Sequence, residues 1–265
     1  MRIAWLTDIH LEFLEPDERL DFVNHLAESV PNIVLLGGDT GIASNFGSFL
    51  QIIEKRLACP IYFVLGNHDF YRGSIAEVRA AAARLTKSAP WLRWLPIHGI
   101  AEITKTTGLI GHDSWADGRL GNGSASQVEL NDYFLIKELT RLSRQRRFME
   151  LAKLGDQATE YFRKLLPQAC AGFKNIILLT HVPPFREACW HEGKISDDEY
   201  LPHFACKAVG EVLVDVMAKH PECKLTVLCG HTHSSGVANI LPNLCVKTGS
   251  AEYGHPRLQE LIIIE

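Results

Sequence analysis

The 265-residue sequence predicts an α/β fold, and two of its features carry that prediction. Seven short runs of apolar and β-branched residues are continuous rather than alternating, the pattern of strands buried on both faces. Helical patterns separate the first of these runs, so the chain opens in the order βαβαβ. A hydrophobic content of 46% is ample for one large core.

Ile3 to Leu6 is the first strand. Asp17 to Val30 comes next as a helix, with Leu20, Val23, Leu26, Ala27 and Val30 on one stripe. Ile33 to Leu36 and Ile61 to Leu65 are the next strands. Ser74-Ile75-Ala76-Glu77 reads as a capping box that opens an Ala-rich helix to Ala83. From about Ser114 to Ala171 the character changes: a Gly-rich loop, Asp117 to Gly123, leads into two helices, expected to form an insertion beside the sheet. Ile176 to Leu179 resumes the strands. Val182 to Phe204 contains Pro183, Pro184, Pro202, Trp190, His191 and His203, and reads as a long functional loop or lid. Leu225 to Leu228, Leu244 to Val246 and Leu258 to Ile264 complete the set. No repeat, low-complexity tract or Pro/Gly-rich linker interrupts the chain, so residues 1–265 are expected to form a single domain.

Charge and cysteine usage exclude several classes. Lys and Arg number 27 against 31 Asp and Glu, a net charge of −4, so there is no general basic field to gather nucleic acid or an anionic membrane. The N-terminus has no positive n-region, apolar h-region or cleavage site, and no apolar run approaches the roughly 20 residues that span a bilayer. The seven cysteines are odd in number and never form a C-x-x-C pair. They read as reduced thiols of a cytoplasmic protein with no membrane partner.

The residues just beyond the apolar runs are more informative than the runs themselves. After Ile3 to Leu6 comes Thr7-Asp8-Ile9-His10, after Ile33 to Leu36 comes Gly37-Gly38-Asp39, and after Ile61 to Leu65 comes Gly66-Asn67-His68-Asp69. Ile176 to Leu179 leads into Thr180-His181, and Leu225 to Cys229 into Gly230-His231-Thr232-His233. Ligands of α/β sheets bind at the carboxyl ends of strands, so the five turns should converge. A D-x-H or H-x-H alone is a weak signal. Packing does not require five strand ends to finish in oxygen and imidazole donors, and so many buried ionisable groups are costly without a cation.

The ordered set Asp8/His10, Gly38-Asp39, Gly66-Asn67-His68-Asp69, His181 and Gly230-His231-Thr232-His233 resembles the signature of calcineurin-like metallophosphoesterases. The match spans positions 8 to 233. The resemblance implies a four-layer α-β-β-α sandwich of two mixed sheets flanked by helices, with a metal site at the C-terminal ends of the strands. It also implies two divalent ions: one on Asp8, His10 and His233, the other on Asn67, His181 and His231, with Asp39 bridging. Imidazole-rich ligands suit Mn, Fe or Zn. A water or hydroxide bridging the ions would attack a phosphate mono- or diester, and His68 would protonate the leaving oxygen. The chain departs from the G-D-x-x-D-R-G extension of the Ser/Thr protein phosphatases, because Gly38-Asp39 is followed by Thr40-Gly41-Ile42. The Asp that orients the catalytic His in that branch is missing, and Asp69 is the candidate to replace it.

The departure favours a small-molecule phosphate ester such as a nucleotide over a phosphoprotein. A nuclease of the same fold is the alternative, suggested by the basic run Arg141 to Arg147. A non-catalytic metal-binding interaction module is the alternative of another class. Outside the signature, His112 at the end of Gly108 to Gly111, Arg119, Tyr71 and Trp190, with His191 and His203, are candidates to contact substrate.

Overall fold

A computed structural model describes residues 1–264. The first half alternates strands and helices: β1 (Arg2–Leu6), α1 (Pro16–Glu28), β2 (Ile33–Leu36), α2 (Phe46–Leu57), β3 (Ile61–Phe63), α3 (Ile75–Ser88) and β4 (Leu92–Trp94). A single turn, α4 (Leu95–His98), leads to the hairpin β5 (Ala101–Thr104) and β6 (Thr107–His112). The stretch expected to hold two helices contains one turn, α5 (Asp132–Leu135), and one 29-residue helix, α6 (Arg144–Gly172). Then come β7 (Asn175–Thr180), the short pair β8 (Trp190–His191) and β9 (Lys194–Ile195), α7 (Leu201–Phe204) and α8 (Lys207–Met217). The chain closes with β10 (Lys224–Cys229), β11 (Gly236–Leu241), β12 (Leu244–Thr248) and β13 (Glu260–Ile263).

The strands form two mixed sheets. One has the order β13-β1-β2-β3-β4, parallel except for β13; the other has the order β11-β12-β10-β7-β6-β5, parallel in its centre with an antiparallel strand at each edge. Strand alternation sends neighbouring residues to opposite faces, and this chain uses both. Ile3, Trp5, Ile33 and Leu35 from the first sheet meet Leu109, Ile177, Leu179 and Leu228 from the second in one cluster between the sheets. The intervening residues Ala4, Leu6, Val34 and Leu36 pack outward under α1, α2 and α3. Those of the second sheet, Ile110, Ile176, Leu178 and Val227, pack outward under α6 and α8. This double burial is why the runs are uniformly apolar, and it produces the α-β-β-α layering.

The helices differ from their sequence signals in two places. α1 begins at Pro16, whose fixed φ suits the first turn, and Glu15 and Glu18 form its capping box. Its stripe narrows to Val23 and Leu26, because Leu20 is exposed and Val30 lies past the end with φ 45°. At α3 the expected Ser74/Glu77 box does not form. Ser74 instead donates its hydroxyl to Glu138, whose carboxylate also accepts the Ile75 and Ala76 N–H groups. The basic run opens α6 behind the N-cap Ser143, and Arg147 turns inward over the Tyr133 ring at 4.1 Å. Among the described residues, no helix is long and apolar enough to cross a membrane.

Candidate metal centre

The turns after β1, β2, β7 and β10 are tied together by backbone N–H groups. Asp8 N donates to Gly38 O at 3.0 Å and His10 N to Asp39 O at 2.9 Å, which sews the first turn to the second. Gly230 N donates to His181 O at 2.9 Å, joining the turns of the other sheet. His231 N donates to Asp8 Oδ1 at 2.9 Å and so joins the two sheets. The approach is close enough to demand glycine. A Cβ at Gly230 would lie 1.9 Å from Asp8 Oδ2, and one at Gly66 2.1 Å from Asp39 Oδ1. Asp8, His10, Asp39, His231 and His233 all have left-handed backbones, with φ between 41° and 71°. Such conformations cost on the order of 1 kcal/mol each and cluster where surrounding structure aims side chains for function.

These turns bring the seven sequence-derived ligand candidates into one place. Asp8, His10, Asp39 and His233 each offer a donor atom within 4.8 Å of all the others. Asp39 Oδ2 lies 3.7 Å from His10 Nε2 and 3.5 Å from His181 Nε2, between the two histidine sets, so it would be the carboxylate shared by cations held on either side. Asn67 Oδ1 is 2.9 Å from His181 Nε2 and 3.0 Å from His231 Nδ1. The far nitrogens show which atoms remain free. His181 Nδ1 is 2.9 Å from Gly37 O and His231 Nε2 is 3.0 Å from His203 O; each must donate there, leaving the other nitrogen as a lone-pair donor facing the cluster. Imidazole nitrogens, two aspartates and an amide oxygen thus converge with lone pairs inward, a donor set suited to two borderline divalent cations.

The electrostatics agree. Burial raises the Asp39 carboxyl well above its ordinary range, and the neighbouring Asp8 and Asp69 add to the rise. Burial opposes ionisation of Asp8 as well, but His181, His233 and His10 together hold that group low. Burial pushes His231 down to about 3, with His181 adding to it, and His233 down to about 4. Burial thus disfavours the protonated form of these two rings, the form that cannot bind a metal. A carboxylate such as Asp39, buried among other acids, is relieved by cations on either side.

A second ring of residues fixes the ligands. Asn67 Nδ2 donates to Asp132 Oδ1 at 2.8 Å, and Tyr71 OH donates to the same oxygen at 2.7 Å. The buried Asp132 therefore sets which way the Asn67 amide points. Glu12 Oε1 lies 3.4 Å from His10 Nδ1 and 3.5 Å from His68 Nδ1. Although burial pushes the Glu12 carboxyl up, contact with the two imidazoles brings it down to about 2. A cavity of about 300 Å³ opens over the cluster. Asp39, Asn67, His68, His231 and His233 form its floor, and Tyr71, His191, Phe204 and Tyr253 are among its walls.

Not every sequence candidate is brought to this cavity. Asp69 is fully buried, and its two oxygens accept the backbone N–H groups of Asp39, Thr40, Gly41 and Gly66 at 2.9–3.1 Å. Its acceptor sites are filled, so it braces the two turns rather than orienting His68. His112 turns into the core, where its Nδ1 accepts the Ser114 N–H at 2.9 Å and its ring meets Tyr161 and Phe162. Arg119 is engaged by Asp117 at 3.2 Å and Asp156 at 2.7 Å, so its charge is not free for a phosphate. Trp190 lies on Gly236 outside the cavity, and its neighbour His191 is the wall residue. Tyr71 does line the cavity, but its hydroxyl is given to Asp132 and its ring stacks on His68 with centroids 4.2 Å apart. The His203 side chain bonds Ser126 and Tyr133; only its carbonyl serves the site.

Glu12, Asp132 and Tyr253 belong to the site without having stood out in the sequence. Glu12 carried a usable signal, because D-x-H-x-E puts it one turn from a strand end. Asp132, in the single turn α5, and Tyr253, in a loop, carry no such mark.

The family described as calcineurin-like phosphoesterase matches residues 1–235, and the chain belongs to it. It is accordingly a metal-dependent hydrolase of a family that works with a binuclear centre. No curated protein matches the sequence. Among solved structures, the phosphopantetheinyl hydrolase of Mycobacterium tuberculosis is similar over 95% of this chain and 89% of its own, with a TM-score of 0.64 and 14% identity. A dimetal phosphatase from Danio rerio is similar over 94% and 87% respectively, with a TM-score of 0.60 and 12% identity. At such identities the likeness is one of fold.

Proposed function

We propose that this chain hydrolyses a phosphate mono- or diester of a small molecule such as a nucleotide. The placement of Asp39 Oδ2 between His10 and His181 at the floor of the cavity carries the reading. Two divalent cations of the Mn, Fe or Zn type, held by Asp8, His10 and His233 on one side and Asn67, His181 and His231 on the other, would neutralise phosphate charge and acidify the attacking water. His68 makes no side-chain hydrogen bond to the described protein and lines the cavity beside the metal ligands, the position for giving a proton to the leaving oxygen.

The substrate class rests on the walls. A cavity of about 300 Å³ suits a small ester. Tyr253 stands at its mouth, edge-on to His10 at 4.7 Å and packed against the exposed Phe13 at 4.7 Å, a surface on which a planar base can stack. The stretch 182–204 supplies His191 and Phe204 to the same wall, the role of a lid. Arg147 of the basic run is buried and paired to Glu129, so its charge is withheld from a polyanion.

The deciding experiment loads purified protein with Mn and compares p-nitrophenyl phosphate with bis(p-nitrophenyl) phosphate, then a panel of nucleotides. Hydrolysis of at least one aryl ester is expected. Protein that binds two equivalents of metal and cleaves none of them would sink the reading.

A further inference from the structure

We propose that Glu12 is the positioning residue for His68, holding that ring and the ring of His10 through their Nδ1 atoms from a single carboxylate. The proposal rests on the phosphoesterase reading of this site. It begins from a gap: the Asp that orients the equivalent histidine in the protein phosphatase pattern is absent here, and Asp69 has no acceptor left.

Three observations converge on Glu12. Both of its carboxylate oxygens are buried, and among the described residues neither has a hydrogen-bond partner in backbone or side chain. Such a group is costly unless something nearby compensates it, and the closest candidates are two imidazole nitrogens, His10 Nδ1 at 3.4 Å and His68 Nδ1 at 3.5 Å. His10 Nδ1 is itself buried without a partner, so donor and acceptor face one another across a gap that a small side-chain movement closes. The position of Glu12 is set by backbone: it sits in the single 3₁₀ turn Leu11–Phe13, which is anchored by Leu11 N to Thr40 O at 3.0 Å and Phe13 N to His10 O at 3.1 Å.

The consequence for His68 is rotational. Stacking on Tyr71, with ring planes 28° apart, fixes the plane of the imidazole but leaves it free to flip by half a turn in that plane. An acceptor at Nδ1 selects one of the two orientations. It leaves Nε2 as the nitrogen with no partner among the described residues; on a doubly protonated ring the Nε2 proton passes to the leaving oxygen and the Nδ1 proton stays on the ring, facing Glu12. For His10 the same contact directs Nε2 toward Asp39 and His233. One carboxylate thereby couples the geometry of a metal ligand to that of the proton donor.

The test uses E12A, E12Q, H68A and the double variant E12A/H68A, each checked for folding by thermal melting and for metal content. Turnover is measured at saturating Mn on p-nitrophenyl phosphate and on phenyl phosphate, whose poorer leaving group depends more on protonation. For E12A, kcat is expected to fall about 10–100-fold with KM little changed, and further on phenyl phosphate than on the nitrophenyl ester. E12Q, which keeps one acceptor oxygen, should recover part of the loss. Adding E12A to H68A should cost little more, because the two act through one ring. Undiminished kcat in E12A, or losses that simply add, would overturn the proposal. Histidine ¹⁵N spectra of the metal-free protein provide an independent check that needs no turnover. The His68 proton is expected at Nδ1 in wild type and redistributed in E12A, and identical imidazole shifts in the two would also overturn it. Wild-type protein that cleaves neither ester would remove the phosphoesterase reading, while the spectra would still decide the role of Glu12.

Discussion

Asp39 has an environment that opposes a bare negative charge: fully buried, beside Asp8 and Asp69, with its Oδ2 between two imidazoles. Asp39→Asn removes the carboxylate charge while keeping the shape. Metal content should fall and activity should drop on the order of 100-fold or more, as read by elemental analysis and turnover on the same sample. His68→Ala is its contrast, because the proposed ligand set does not include His68. Full metal content with kcat lowered roughly 10²–10⁴-fold is expected. Asp132 tests the outer ring. Its Oδ1 is the acceptor that turns the Asn67 amide nitrogen away from His181 and His231. Asp132→Ala should weaken metal binding about 10–100-fold in a Mn titration, with activity returning at high Mn. Unchanged affinity would mean that the imidazoles alone orient the amide.

Elements were legible where their signal is local. The continuous runs of β1, β2, β7 and β10 are apolar because both faces are covered, and that reason is independent of partners. β4, β5 and β11 lie near or at sheet edges with mixed burial and leave no such run. The start of α3 shows how a local pattern is overridden. Ser74-x-x-Glu77 has the spelling of a capping box, yet the insertion brings Glu138 onto the first turn, and its carboxylate takes both the Ser74 hydroxyl and the free N–H groups. An acceptor from more than sixty residues away has no trace in a four-residue window. Glu138→Ala should therefore destabilise the protein by about 1 kcal/mol, lowering Tm by roughly 2–4 °C, without changing kcat. An unchanged melting temperature would mean that Ser74 takes over the cap.

At the scale of the molecule, the candidate metal ligands could be read because each of five strand ends carries its own donors, whereas Asp132 and Tyr253 come from segments that only the folded chain brings near. His112 illustrates the reverse case, a strand-end histidine that the fold spends on the core. Its ring is buried against Tyr161 and Phe162, and burial holds it down to about 4 from an ordinary 6.5. The linkage has a definite sign. The unfolded chain takes a proton on this ring near pH 6.5 and the folded chain only near 4, so the unfolded state binds more protons between those values. The stability this group contributes is complete above pH 6.5 and is lost as pH falls toward 4. His112→Asn keeps an acceptor where Nδ1 meets the Ser114 N–H but cannot titrate. The variant will be less stable at every pH, because it leaves a void. The difference from wild type is nevertheless expected to shrink by about 2 kcal/mol between pH 7 and pH 5. Urea unfolding of both proteins in chelator, so that metal release plays no part, measures that difference directly. A gap that stays constant with pH would show that the folded protein lets His112 ionise as freely as the unfolded chain does.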